Sequence, residues 1–94
     1  MKIGATISRL RKMKNLTQEQ FAEQIDLSPT SLSQIESGKK RPNSSTLNRI
    51  CGALGISELH LYFLSLDETD IPENKRDLYH KIKDPLKSLV ESLI

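Results

Sequence analysis

A polar helix face followed by a run of positive charge is the clearest chemical feature of this sequence. The face lies on a short predicted helix that begins after Ser28, and it is nearly uncharged, whereas a helix packed into a protein core or a membrane would carry a wider apolar face. Hydroxyl and amide groups can hydrogen-bond the edges of DNA bases, and basic side chains can bind phosphates. The polar residues are Thr30, Ser33, Gln34 and Ser37, and the basic residues are Lys39, Lys40 and Arg41. Either feature alone is compatible with an ordinary solvated surface, but together they indicate double-stranded DNA as a partner.

Charge is distributed unevenly along the 94 residues, although the net charge is only +2. Residues 1–66 contain nine basic and five acidic residues, whereas residues 67–94 contain five basic and seven acidic ones. A basic part and a mildly acidic tail suggest two tasks. We therefore predict a DNA-binding domain at 1–66 and a helical tail at 67–94 that serves dimerisation.

Apolar residues recur at helical spacing, and no segment alternates apolar and polar residues over more than a few positions. This pattern predicts an all-α fold with five helices between residues 3 and 65. The first helix, at about 3–14, places Ile3, Ile7, Leu10 and Met13 on one face. Helices this short are marginal in isolation, so they must pack on one another in one compact unit.

Local signals mark where these helices begin and end. Thr17 and Gln20 are spaced as a capping box, and Ser28 followed by Pro29 is typical of a helix start. The fourth helix is predicted to begin at Asn43 or Ser44, and the fifth at Ser57. Gly38 and Gly55 are predicted to end the third and fourth helices in the left-handed conformation.

The second and third predicted helices meet across Ile25–Leu27, with the small residue Ala22 at the centre of the second helix. A small residue allows the third helix to approach closely. Two short helices joined in this way are typical of a helix-turn-helix, in which the second helix of the pair enters the major groove.

The tail carries a second apolar pattern after a linker or tight connection at residues 66–72. Its apolar residues are Leu78, Ile82, Leu86, Leu89, Val90, Leu93 and Ile94. Pro85 either starts a new helix or kinks a single one. We expect these residues, Ile94 apart, to form the dimer interface; packing against the fifth helix, near Leu61 and Leu64, is the alternative.

Spaced matches across four helices connect residues 3–65 with a known family. They comprise Arg9–Arg11, Leu16–Ala22, Leu27-Ser28, Leu32–Pro42, Leu47 and Ile50–Ile56. On these residues the sequence resembles the XRE family, the phage Cro and repressor type of helix-turn-helix regulators. Two positions depart from the family pattern. Asp26 stands at a turn position where members often have Gly, and Gly52 stands inside the fourth helix where Ala or a larger residue is usual.

The resemblance implies roles for several polar residues. Gln18 would bind a phosphate oxygen at a helix N-terminus, with help from the helix amides and dipole. Thr30, Ser33 and Gln34 match base-reading positions, where Gln34 could pair with adenine and the Thr30 methyl could meet a thymine methyl. Pro29 matches a base-facing position but can make only apolar contact.

Six further residues have implied or open roles. Arg11 and Glu36 match an ion pair that joins the first helix to the third, which we interpret as structural. Lys39, Lys40 and Arg41 are interpreted as phosphate contacts. Asn43 could cap the fourth helix, contact phosphate, or do both.

Several other classes of function find no support in the sequence. No nucleophile–base pair, paired carboxylate site or glycine-rich phosphate loop is present, so we predict no enzyme, cofactor or metal. Cys51 is expected to be a core residue, and His60 and His80 have no ligand-spaced partners. No apolar run is long enough for a membrane span or a secretory signal, which favours a cytoplasmic protein.

The leading hypothesis is a sequence-specific DNA-binding transcriptional regulator, a repressor that acts as a homodimer on a palindromic operator. One alternative is an antitoxin of the same family that binds its operator and neutralises a toxin protein through the tail. A second alternative is a protein–protein adaptor that kept the fold without binding DNA, against which the basic run and the polar third helix both argue.

Overall fold

The computed structural model describes residues 1–93, and Ile94, expected in the apolar stripe, lies outside the described residues. Over this range the chain forms six α-helices and no strand. The helices are α1 (Ile3–Met13), α2 (Gln18–Gln24), α3 (Pro29–Glu36), α4 (Ser44–Leu54), α5 (Glu58–Ser65) and α6 (Arg76–Glu91). Two 3-10 turns, Glu68–Asp70 and Glu73–Lys75, connect α5 to α6. The all-α prediction, with five helices and a helical extension, is confirmed.

The helix starts follow the capping signals. The Thr17 hydroxyl accepts the Gln20 backbone N–H at 3.1 Å, and the Gln20 side chain accepts the Thr17 N–H at 2.9 Å, so the capping box is confirmed. Ser28 caps α3 with Pro29 at its first position, and Ser57 caps α5. Short helices with satisfied first-turn amides are more stable in the packed domain.

The core is formed by one apolar face from each of α1–α5. Its buried residues are Ile7, Leu10, Phe21, Ala22, Ile25, Leu32, Ile35, Leu47, Ile50, Cys51, Leu54, Leu61 and Leu64. Met13 is a correction to the predicted inner face of α1, because its side chain is 53% exposed. It is the last residue of α1, and the chain then turns away through Asn15, which has a φ of 58°.

The turn between α2 and α3 adopts the backbone conformation expected for it. Asp26 has a φ of 53°, in the left-handed region that glycine enters without steric cost. The Leu27 N–H donates to the Ala22 carbonyl at 2.9 Å across this turn. The departure from glycine at this position therefore leaves the helix-turn-helix geometry intact.

Gly4 brings α1 and α3 closer than any other residue would allow. A Cβ atom at this position would lie 2.1 Å from the Ile35 carbonyl oxygen and 2.9 Å from that of Glu36. Both obstacles are backbone atoms, so they cannot rotate aside. The contact fixes the end of α3 against the start of α1, a constraint that the local sequence around Gly4 does not reveal.

The tail is a single helix in which Pro85 is internal, which decides between the two readings of Asp84-Pro85. Val90 differs from the rest of the predicted dimer set, because it is half-buried and packs against the core of its own chain. It lies on the side of α6 that faces the domain, whereas the other predicted dimer residues are exposed. No helix in the described part of the chain is long and apolar enough to cross a membrane.

Candidate DNA interface

The position of α3 is fixed by a buried ion pair with α1. Arg11 donates to both carboxylate oxygens of Glu36, from Nε at 2.8 Å and from Nη2 at 3.0 Å. A third donor, Nη1, reaches the Leu16 carbonyl at 2.7 Å. The side chains are 7% and 5% exposed, so this bidentate pair is almost fully withdrawn from water. The structural role predicted for Arg11 and Glu36 agrees with this geometry.

Two opposing effects set the pKa of Glu36. Burial on its own would raise the pKa of this carboxyl, but hydrogen bonds from Arg11 and Gln18 favour the charged form. The donors prevail, and the pKa of Glu36 lies below its ordinary value. The hydrogen bonds to Glu36 likewise raise the pKa of Arg11. Both groups are therefore charged at neutral pH.

The face of α3 opposite the core is polar and accessible. Leu32 and Ile35 are buried beneath it, while the predicted base-reading residues Thr30, Ser33 and Gln34 are exposed together with Pro29. These four occupy the outward side of one short helix, and the first three offer hydroxyl or amide groups. Such groups on an exposed helix can reach base edges in a major groove.

The basic run lies next to this face because the chain folds back after α3. Gly38 has a φ of 82°, and the Lys40 N–H donates to the Gln34 carbonyl at 3.1 Å. Lys39, Lys40 and Arg41 are all exposed. The turn thus holds three positive charges at the C-terminal end of the polar face.

Gln18 and Asn43 already have partners within the chain. The Gln18 Nε2 donates to Glu36 Oε1 at 3.0 Å, which leaves one of its two amide protons for another acceptor. The Asn43 Oδ1 accepts the Thr46 N–H at 2.8 Å, so the capping role is established. Asn43 is exposed, and this bond uses only its Oδ1, so its NH2 group is not occupied by the cap. Both residues can still donate to phosphate without losing these bonds.

The surroundings of Cys51, His60 and His80 do not favour redox or metal chemistry at these residues. Cys51 is 4% exposed, and burial followed by the nearby Glu58 charge raises the pKa of its thiol, which disfavours the reactive thiolate. The His60 ring accepts the Ser57 N–H, and His80 lies 2.9 Å from Glu68. Within residues 1–93 no three His, Cys, Asp or Glu side chains are grouped as metal ligands.

The arrangement of α2, the left-handed turn and the exposed face of α3 defines a helix-turn-helix protein. The helix-turn-helix family model matches residues 7–61, more than half of the chain. The chain therefore belongs to the XRE-type helix-turn-helix family of DNA-binding transcriptional regulators, as the resemblance implied.

Similar proteins include regulators of opposite effect. The chain is 34% identical over its full length to the HTH-type transcriptional activator BcrR of Enterococcus faecalis, and covers 48% of that protein. It is 33% identical over 99% of its length to the immunity repressor protein of Bacillus phage phi105, and covers 62% of it. The chain thus spans half to three fifths of these two relatives.

A solved structure extends the similarity to the overall shape. The clp gene regulator ClgR of Corynebacterium glutamicum matches with a TM-score of 0.69 at 27% identity, over 92% of each chain. Because this match covers more than residues 1–66, it includes part of the tail as well as the helix-turn-helix.

Contacts between distant parts of the chain were missed by sequence reasoning. Arg9 of α1 forms an ion pair with Glu91 of α6, and Lys87 Nζ donates to the Leu66 carbonyl at 2.9 Å. The Tyr79 hydroxyl donates to the same carbonyl at 3.0 Å. Nothing in the local sequence around these residues signals such pairs. They hold the tail helix against the domain.

Proposed function

We propose that this chain binds double-stranded DNA sequence-specifically, as a homodimer on a palindromic operator, and thereby represses transcription. The observation that carries the proposal is the exposed polar face of α3, held by a buried ion pair beneath and bordered by three positive charges. Hydroxyl and amide groups on a rigidly held helix are suited to discriminating between base pairs.

Base reading is assigned to the four outward residues of α3. Gln34 would pair bidentately with adenine, and the Thr30 methyl would contact a thymine methyl. Ser33 would hydrogen-bond a base edge, and Pro29 would make an apolar contact. The burial of Leu32 and Ile35 supports this assignment, because it fixes which side of the helix is available.

Phosphate binding is assigned to residues at both ends of the helix-turn-helix. Lys39, Lys40 and Arg41 supply charge, and Gln18 and Asn43 supply amide donors. Contacts of this kind fix the protein's position on the duplex without reading sequence. The backbone hydrogen bond from Lys40 to Gln34 supports this assignment, because it holds the basic run next to α3.

Dimerisation is assigned to the exposed stripe, defined here as Leu78, Ile82, Leu86 and Leu89 of α6 together with Leu93 just beyond its end. One short helix contacts too few bases to find a site in a genome, and a two-fold dimer doubles the contacts. Four large aliphatic side chains exposed on one helix, with Leu93 just beyond its end, support a protein–protein interface. A toxin protein on the same stripe is the alternative outcome of the tests below.

Repression is the simplest consequence of such binding. A dimer bound to a promoter blocks RNA polymerase without having to contact it. Activation would require an additional surface that binds the polymerase. The phage immunity repressor among the relatives supports this direction, and the activator BcrR provides the alternative. A reporter gene placed behind the selected operator distinguishes them, because repression lowers its expression when the chain is produced.

The decisive experiment selects bound fragments from random duplex DNA and then titrates the selected operator. Gln34→Ala should weaken binding by about 1–3 kcal/mol and relax base preference at one position per half-site. Asn74→Ala, an exposed amide in the connection to α6, is the matched control and should bind like wild type. Unchanged affinity and preference in Gln34→Ala would reject the recognition-helix assignment, and failure to enrich any sequence would favour the adaptor.

The phosphate contacts predict a different signature. Lys40→Ala should weaken binding to all sequences alike and reduce the salt slope by about one. Lys75→Ala, an exposed lysine beside α6, serves as the control for the loss of one positive charge. A changed base preference with an unchanged salt slope would contradict the phosphate role.

A further inference from the structure

The tail helix turns its polar side toward its own domain and its apolar side toward solvent. Lys87 and Tyr79 bind the Leu66 carbonyl, and Glu91 pairs with Arg9, so the contacts with the domain are largely polar. The five stripe residues have exposed fractions between 38% and 71%. A helix whose only partner was its own domain would have the opposite orientation. The stripe therefore requires a surface from outside the chain.

The stripe and the docked side of α6 point in different directions. At 100° per residue, the stripe is centred roughly 110° around the helix from the side formed by Tyr79, Lys87, Val90 and Glu91. The stripe thus points sideways, neither into the domain nor directly away from it. A second helix packed on the stripe would lie beside α6 and leave the domain on one flank of the pair.

The recognition helix α3 lies across the domain from α6, with α1 between them. Gly4 and Arg11 contact α3, whereas Thr6 and Arg9 line a groove of about 530 Å³ that α1 forms with α6. On a helix these two pairs of residues are about half a turn apart. The outward face of α3 therefore points away from α6.

These directions distinguish the two ways in which two stripes can pair with two-fold symmetry. An axis that runs along the helices makes them parallel and places the two domains on opposite flanks of the pair, so the α3 faces point apart. An axis perpendicular to the helices makes them antiparallel and places both domains on the same flank. For the part of the α3 direction that is perpendicular to α6, only the antiparallel pair presents both α3 faces in the same direction.

We infer that the α6 helices of two copies pair antiparallel through the stripe, so that both recognition helices face one duplex. This inference rests on the proposed function as a homodimer on an operator. The spacing of the stripe fits the reversal, because its residues lie symmetrically about a point next to Leu86. Leu78 of one copy lies opposite Leu93 of the other, Ile82 lies opposite Leu89, and the two Leu86 side chains meet near the axis.

Charge beside the stripe supports the same orientation. Lys81 and Ser92 border the stripe on its solvent side, Ser88 lies farther round and lines the groove with α1, and Lys83 lies toward the domain side. Antiparallel pairing brings equivalent borders together, so that Lys81 lies opposite the hydroxyl of Ser92. Parallel pairing brings unlike borders together and places Lys81 near Lys83 of the other copy, which is a like-charge contact.

Thiol crosslinking of the full-length chain tests the orientation. Leu78→Cys and Leu93→Cys are made separately in a Cys51→Ala background, with tags of different mass, and treated with a short thiol-to-thiol crosslinker. Both positions are exposed, so folding is retained, and circular dichroism checks this. Leu86→Cys is the control for pairing itself, because residues near the axis crosslink in either orientation.

The antiparallel pair predicts that the mixture of Leu78→Cys and Leu93→Cys yields a crosslinked heterodimer, while each variant alone yields almost none. Leu78 lies near the start of α6 and Leu93 just beyond its end, roughly 20 Å apart at the rise of an α-helix, which makes the distinction sharp. Strong crosslinking of each variant to itself, with none specific to the mixture, would establish a parallel pair and overturn the inference while retaining the dimer. A monomer in sedimentation, with no crosslink at Leu86→Cys, would instead reject the proposed homodimer.

Discussion

The helices of residues 1–66 and the tail helix α6 direct their apolar side chains in opposite ways. In α1–α5 every helix buries at least two residues, and the predicted ion pair between Arg11 and Glu36 is buried with them. In α6 no residue is fully buried, and the five-residue stripe faces outward. The same helical spacing of apolar residues thus forms a buried core in one region and an exposed surface in the other.

This contrast separates the contacts that fold the domain from those available for the proposed dimer. The helices of the first region bury most of their apolar residues within the chain, and side chains cap the starts of α2–α5. The tail is held to that domain by Val90 and by partly exposed polar contacts, which contribute little each. Its stripe gains free energy only when another surface covers it, and predictions for the two regions differ accordingly.

The largest expected effect comes from breaking the buried pair of the domain. Glu36→Gln should lower the free energy of unfolding by about 3 kcal/mol, because Arg11 is left charged and buried without its counterion. Urea unfolding at pH 7 measures this change. Glu23→Gln removes an exposed carboxylate from α2 and should change stability by less than about 0.5 kcal/mol. Equal effects of the two variants would mean that the pair does not hold α3 in place.

The same pair sets an acid dependence. Because the folded-state pKa of Glu36 lies below its ordinary value of about 4.3, the pair contributes its full stability above that pH and loses it as the pH falls through the folded pKa. Wild type should therefore lose stability more steeply in acid than Glu36→Gln does. Parallel acid profiles for the two proteins would contradict the lowered pKa.

A steric change tests the domain at its closest helix contact. Gly4→Ala should lower the free energy of unfolding by about 2–3 kcal/mol, since its Cβ would meet the Ile35 carbonyl. Gly52→Ala is the matched control: its site is helical and has nothing within 4 Å, so it should raise stability by up to about 1 kcal/mol. If Gly4→Ala were also stabilising, α1 and α3 would have to separate without cost.

Sequence reasoning was most successful where the cause is local. The capping box at Thr17, the Ser28-Pro29 start and the left-handed turn at Asp26 each depend on a few neighbouring residues. The polar face of α3 follows from helical periodicity alone. The family resemblance supplied one long-range contact, the pair of Arg11 with Glu36.

Other features depend on residues that are distant in sequence. The need for glycine at position 4 is evident only once the Ile35 backbone is known to contact it. Likewise, the sequence around Arg9 does not indicate that its partner is Glu91. The periodicity of the tail identified the apolar residues but did not show which of them face the domain, so Val90 was grouped with the stripe. Facing directions are set by tertiary packing, which a single helical pattern does not contain.

Removing the tail tests the independence of the domain. A chain that ends at residue 71 should remain folded and lose only about 1–2 kcal/mol of unfolding free energy, because Val90 is the main apolar contact removed from the core. It should be monomeric in sedimentation and bind the selected operator about 100-fold more weakly, since two linked half-sites no longer reinforce each other. A truncated chain that dimerised and bound at full strength would move the interface to α5 and leave the tail for another partner, such as a toxin.

The smallest expected effect lies at the turn between α2 and α3. Asp26 holds a φ of 53°, a conformation that costs an L-residue roughly 1 kcal/mol and glycine almost nothing. Its side chain is exposed, so little packing is lost on replacement. Asp26→Gly should therefore raise the free energy of unfolding by about 0.5 kcal/mol, after part of the gain is offset by the greater freedom of glycine in the unfolded chain. Glu23→Gly, at an exposed helical position in α2, should lower it by about 1 kcal/mol, and a loss of stability in both variants would show that Asp26 stabilises the turn through its side chain.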